Sequence, residues 1–234
     1  RNERQRKGLR HRSRVRFEPV MALIFAVDTT SEHGSLALLR EGDLLEEASI
    51  HAPTGFSHLL YAEIVALFDR HAVTLRDVDC FASASGPGAF TGVRVSLACV
   101  KGLAEALARP AVAVSNLEAL ARFGTAPLRA AVLDARRGDL YGAVYDSDGN
   151  RITGEVVSAP GPWLVSLHPQ VKEFVTQGFA LDVPRARIIL APAAIAAQIA
   201  RIAAKRFAEG RATDPAALDA NYVRRADAEL SWKE

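Results

Sequence analysis

Two carboxylates and one glycine-rich loop are the residues of this sequence best suited to chemistry. Asp28, in "LIFAVDTT", and Asp134, in "RAAVLDARRG", each stand where an apolar run enters a polar turn. Carboxylates so placed on two sides of a cleft position a metal ion or a metal-coordinated phosphate. The competing reading is an Asp that caps its own turn. Between them lies "SGPGAFTG", residues 85–92, whose N–H groups and following helix entrance suit an anion. It has neither the Lys of a Walker loop nor the spacing of the dinucleotide fingerprint. A sharp turn into a closely packed helix therefore stands beside ligand contact as its reading. On the ligand reading, Asp28, Thr29, Gly86, Gly88 and Asp134 form a nucleotide cleft for ATP or ADP; otherwise the chain requires no cofactor.

Other chemistries find less support. Six histidines are present, but none forms an HxxxH or HExxH pair. Cys80 and Cys99 show no metal-ligand spacing either, so a zinc site would need scattered parts. No GxSxG nucleophile elbow occurs. The two cysteines read as small buried hydrophobes of a reducing cytoplasm rather than as a disulfide. Arg136, Arg137 and Asp139, ahead of Tyr141, read as an exposed turn that contacts a partner or nucleic-acid phosphate, or is simply solvated.

These residues sit in 234 positions that are 49% hydrophobic and 24% charged, the balance of a globular chain with one large or two small domains. Residues 1–20 hold eight Lys/Arg against two Glu, leaving 21 basic and 25 acidic residues in the remainder. The basic character belongs to that first segment, which reads as a disordered extension preceding Met21, with a nucleic-acid-binding arm as the alternative. No stretch reaches the ~18 apolar residues of a membrane span.

The elements that must position Asp28 and Asp134 repeat. An antiparallel meander over residues 22–50 precedes a helix in "GFSHLLYAEIVALFD", with Ser57 as N-cap and Leu60, Ile64, Leu67 and Phe68 inward. A strand over residues 78–84 leads into the glycine loop and a helix from Phe90 to Ala108. That helix carries an apolar stripe (Val93, Leu97, Val100, Ala104, Leu107) beside a stripe of small residues (Gly92, Ser96, Cys99, Ala106), the pattern of a helix that admits a second helix closely. "PAVAVS" and "NLEALARFG" add a strand and a helix. From Arg129 the strand–Asp–turn–strand layout recurs, and "RITGEVV" supplies a further strand. "PWLVSL" and "VKEFVTQGF" read as short helices, "RIIL" as a strand, "AAIAAQIARIAAKRFAEG" as a helix, and the remainder as an extended return segment.

Together these pieces resemble the TsaB family, the partner of TsaD in making N6-threonylcarbamoyladenosine at position 37 of tRNA. The matching segments are "LIFAVDTTSEHGSLALL", "FSHLL", "SGPGAFTGVRVSLACVKGLAEAL", "VAVSNLEALA", "VLDARRGDLYGAVY" and "DANYVRRADAE". The resemblance implies the α/β fold of actin, sugar kinases and Hsp70, in two duplicated lobes: residues 21–122, carrying the partner interface, and 123–234, reduced, with its C-terminal segment returning to the first. Aligned on the catalytic relative's HxxxH metal pair, "SNLEAL" places Asn116 and Leu120 at the two histidine positions. Leu120 has no donor atom and Asn116 is a poor ligand for a transition metal, so the resemblance implies a non-catalytic subunit. Its implied partners are a TsaD-like catalytic subunit, a TsaE-like ATPase and, through the complex, tRNA, with a homodimer when alone and no membrane. The implied interface is His58, Tyr61, Val93, Ser96, Leu97, Cys99, Val100 and Leu103. A kinase or ATPase of the same fold is the leading alternative; a glycoprotein peptidase and a general nucleic-acid-binding module follow.

Overall fold

The computed structural model describes residues 22–224; the basic segment 1–20 and the last part of "DANYVRRADAE" lie outside the described residues. Two five-stranded mixed sheets form the frame. The first runs β3-β2-β1-β4-β5, from β1 (Leu23–Asp28), β2 (His33–Arg40), β3 (Asp43–His51), β4 (Cys80–Ala84) and β5 (Ala111–Val114). β1 pairs antiparallel with β2 and parallel with β4. The second runs β10-β9-β6-β7-β8, from β6 (Leu128–Arg136), β7 (Asp139–Asp146), β8 (Val156–Ser158), β9 (Glu173–Gln177) and β10 (Arg187–Leu190).

Alternation along β1 divides the first core. Leu23, Phe25 and Val27 face one helical layer, made by α1 (Leu60–Arg70) and α2 (Phe90–Ala106). Ala22, Ile24 and Ala26 face α5 (Ala196–Ala208) on the other side. Phe25 sits edge-on to Phe68 and Phe81, with ring centroids 5.1 and 6.2 Å away. Truncating so enclosed a ring typically costs about 3–5 kcal/mol.

The packing of the helices does not follow the division at residue 122. Helix α3 (Asn116–Ala121) ends the first half of the chain, yet Leu117, Leu120 and Ala121 pack on the second sheet. Helix α5 lies in the second half, yet it covers the first sheet. The cause is at its N-terminus: no residue of α5 caps it, and Ser35 Oγ of β2 accepts from Ile195 N and Ala196 N (3.2 and 3.0 Å), while Glu47 of β3 accepts from Ala197 N (2.8 Å). The layers are therefore α1/α2, first sheet, α5 and α3, second sheet, and α4 (Pro160–Ser166).

Three local expectations need correction. Ser57 does not cap α1, which starts at Leu60 after a turn closed by Leu60 N to Phe56 O. "VKEFVTQGF" holds a strand, β9, because both its faces are covered inside the sheet and its burial is continuous rather than one-sided. The small-residue stripe of α2 packs inside its own lobe rather than on a partner: Ser96 Oγ donates to Val27 O (2.8 Å) and lies 2.9 Å from Ser83 Oγ, and Cys99 lies in the core that α1 shares. Both cysteines are buried and free. No helix among the described residues is long and apolar enough to cross a membrane.

Two glycines of α2 separate the close approach from helix propensity. A Cβ on Gly92 would stand 2.0 Å from Thr29 O, whereas one on the exposed Gly102 would meet nothing within 4 Å. We expect Gly92→Ala to destabilise the protein by about 2–3 kcal/mol, and Gly102→Ala to stabilise it by roughly 0.5–1 kcal/mol. Thermal or urea melts of the two variants check this; equal effects would contradict it.

Candidate functional site

The turn after β1 and the glycine loop after β4 are built against each other. Asp28 closes β1 with its side chain buried, and Oδ1 accepts from Thr30 N (2.9 Å) and Thr30 Oγ1 (2.6 Å). Thr30 Oγ1 in turn accepts from Asn116 Nδ2 (2.5 Å), and Asn116 Oδ1 accepts from Gly86 N (2.9 Å). Backbone bonds complete the joint: Asn116 N donates to Gly86 O and Ala89 N to Thr30 O. Thr29 Oγ1 donates to Gly92 O (2.7 Å). Gly88 and Gly92 are required because any Cβ there would collide with the backbone of Thr30 and Thr29. Gly86 adopts φ +97 and the Gly86–Pro87 peptide is cis.

Burial raises the Asp28 pKa above the ordinary aspartate value, although the hydrogen bonds from Thr30 and Asn116 oppose the shift. Asp28 is therefore a carboxyl group held by its own turn, without exposure to a ligand.

A cavity of about 550 Å³ opens between the sheets, and the Thr30–His33 turn, Gly88, Asp134, Arg136 and Tyr141 are among its walls. Of the residues expected at a nucleotide cleft, the structure brings Gly88 and Asp134 to this cavity. Asp28, Thr29 and Gly86 are buried behind its wall. Asp134 Oδ1 accepts from Arg136 N (2.7 Å), and Arg136 Nη1 lies 3.3 Å from Oδ2. Arg136 and Arg137 both take positive φ at the β6–β7 turn. Asp139, expected to be an exposed turn residue, is partly covered and ion-paired to Arg224.

Asn116 is consumed by the joint just described, and Leu120 is fully buried among side chains of the second sheet. Burial pushes the Cys80 and Cys99 thiols up to about 12, so neither is a thiolate nucleophile or ligand at neutral pH. Among the described residues one group has metal-ligand geometry: Glu32, His33 and His51, all exposed, with donor atoms within 4.8 Å of one another. The β2–β3 pairing sets His33 opposite His51, an encounter that linear spacing could not reveal.

The expected interface also needs correction. His58 and Tyr61 are exposed and Leu103 is half-buried, but Val93, Ser96, Leu97, Cys99 and Val100 are buried under α2 against the first sheet and α1. Both stripes of α2 are used by its own lobe, since a helix over a sheet needs a face wider than one row of side chains. The residues this helical layer leaves outward include Tyr61 and Val65 on α1, 60% and 59% exposed, and Ala98 and Gly102 on α2.

Sequence reasoning missed Glu155, whose side chain is only 4% exposed. Its carboxylate accepts from Ser115 Oγ (2.6 Å), Tyr145 OH (3.1 Å) and Asn221 Nδ2, joining the start of α3, β7 and the C-terminal segment. Nothing local to "TGEVV" signals this, because the partners lie in three distant parts of the chain.

Two sheets of this connectivity, each entered through a strand–Asp–turn–strand unit and separated by exchanged helices, define the actin/Hsp70-like class of two-lobed α/β proteins. A family model described as "TsaD: tRNA N6-adenosine threonylcarbamoyltransferase" matches residues 51–220. The tRNA threonylcarbamoyladenosine biosynthesis protein TsaB of Escherichia coli is 28% identical over 230 residues, covering 90% of this chain and 97% of that protein. Its Bacillus subtilis namesake is 34% identical over 124 residues, 52% of this chain and 54% of that one. The solved structure of YeaZ from Pseudomonas aeruginosa superposes with a TM-score of 0.75 at 30% identity, covering 86% of this chain and all of that chain. The chain belongs to the family that this model describes, in its TsaB (YeaZ) branch.

The elevated Asp28 pKa has a signed consequence. The folded state holds this proton more tightly than the unfolded chain, so stability falls as pH rises from the ordinary aspartate value through the elevated one. Asp28→Asn keeps an acceptor for Thr30 and cannot ionise. Urea melts between about pH 4 and 7 should show a shallower loss of stability with rising pH in the variant; identical slopes would refute the assignment.

Proposed function

We propose that this chain is the non-catalytic subunit of the tRNA threonylcarbamoyladenosine transferase, supporting a TsaD-like partner that performs the transfer to adenosine 37. The observation that carries the reading is the entrance of α3. Where the resemblance places a catalytic metal pair, Asn116 is spent on Gly86 and Thr30 and Leu120 is core. No donor set is left there for the metal. The glycine loop supports the same conclusion, since Gly86 N and Ala89 N already donate to protein oxygens and no resident nucleotide is needed to satisfy them.

The partner docks on the outward face of α1 and α2. Tyr61 and Val65 supply an exposed apolar patch, and Ala98 and Gly102 allow close backbone approach beside it. Without the partner, the same face pairs two copies of this chain. A TsaE-like ATPase joins the assembled pair, and tRNA is engaged through the complex.

The test is reconstitution of tRNA modification from this chain, the cognate TsaD-like and TsaE-like subunits and substrate. Modification should require this chain together with its partner, and the chain alone should give none; transfer by the lone chain would overturn the reading. Tyr61→Glu combined with Val65→Arg should weaken association at least about tenfold, as loss of an aromatic anchor does, while leaving the melting temperature near that of the parent. Val93→Arg should instead lower the melting temperature, because Val93 is inside. Unchanged association in the double variant would remove this face from the interface.

A further inference from the structure

A second cavity, of about 430 Å³, lies between the sheets and is lined by a different set of residues from the Asp134 cleft. Its walls are α5, the end of α3 and the turn that follows β7. Five cations reach it, Arg122, Arg151, Lys205, Arg206 and Arg211, against the three carboxylates Glu118, Asp148 and Glu155. Most of these charges are already matched. Arg206 pairs with Glu118 at 2.6 Å, Arg211 pairs with Glu209, and Arg151 lies 3.6 Å from Glu155.

Against the carboxylate of Asp148, which no cation pairs among the described residues, Arg122 and Lys205 are left over. Neither side chain has a hydrogen-bond acceptor or an ion pair among the described residues. Arg122 Nε is sealed from solvent with no acceptor. Its guanidinium lies against the turn, so closely that a Cβ on Gly149 would stand 2.4 Å from Nη2. Arg129 stands behind it, its own Nε also buried without a partner, and its pKa is lowered by burial and then by the charge of Arg122. A guanidinium without an acceptor on a cavity wall, beside an unmatched ammonium, is an arrangement that an anion relieves.

We propose that this cavity binds the phosphate group of a small molecule. Arg122 and Lys205 bring two positive charges to the cavity against the one unpaired carboxylate of Asp148, and a guanidinium donates to two oxygens of one phosphate. The volume exceeds that of phosphate itself, leaving room for the organic part of a monoester beside Tyr145 and Ile202. Since Lys205 belongs to α5 on the first sheet and Arg122 rests on the turn of the second, the bound phosphate ties the two lobes together.

Calorimetric titration of the full chain with inorganic phosphate and with AMP, at constant ionic strength set by chloride, tests the proposal. Saturable binding of at least one probe is expected, with a rise in melting temperature. The exposed Lys205 can be replaced without touching the core, so Lys205→Glu and Arg122→Gln are the variants, and each should weaken binding at least tenfold and abolish the thermal shift. Residues 1–20 remain in every variant, so phosphate attraction by that basic segment stays constant. Absence of saturable binding of both probes up to roughly 1 mM, or an affinity unchanged in either variant, would overturn it.

Discussion

The carbonyl of Thr29 and the backbone of Thr30 lie so close to Gly88 and Gly92 that no side chain fits between them. That contact fixes the turn after β1, the loop after β4 and the first turn of α2 as one unit. The relay from Asn116 through Thr30 to Asp28 adds the start of α3 to it. Three separate stretches of the chain, the turn after β1, the loop that runs from β4 into α2, and the start of α3, thus converge on one buried point, and the walls of the Asp134 cleft follow from where that point holds them.

The same convergence accounts for the role of the protein. A glycine loop opening onto a helix offers N–H groups to an anion, but here Gly86 and Ala89 direct theirs to Asn116 and Thr30. Asp28 is likewise turned inward, a carboxylate that organises its own turn. A chain with these groups committed internally retains the shape of a two-lobed enzyme while its loop and turn groups serve its own fold.

Long-range capping explains how the lobes are joined. Helix α5 takes its N-terminal acceptors from Ser35 and Glu47, roughly 150 positions earlier. Alanines on the helix and on β1, β2 and β4 let it lie close to the first sheet. Arg206 then fastens its other end to Ala113 O and Glu118. Glu155 performs the same service for the C-terminal segment through Asn221, so the joint between the lobes rests on polar groups that each sheet supplies to the other.

The sequence by itself determined the elements whose signals are local: the meander whose first strand ends in Asp28, the inward face of α1 at Leu60, Ile64, Leu67 and Phe68, the helix after the glycine loop, and the recurrence of strand–Asp–turn–strand at Asp134. The resemblance placed Asn116 and Leu120 at the positions of a catalytic relative's metal pair, and their side-chain atoms alone then implied that they cannot hold the metal. Tertiary structure decided the rest. Whether Val93, Ser96 and Val100 face a partner or their own sheet depends on how wide a face the sheet covers, and "VKEFVTQ" becomes a strand because neighbours bury both its sides. The meeting of His33 with His51, the committed state of Glu155 and the unmatched charge of Arg122 arise from sheet register and helix exchange. These are properties of distance in space, and periodicity along a chain carries no record of them.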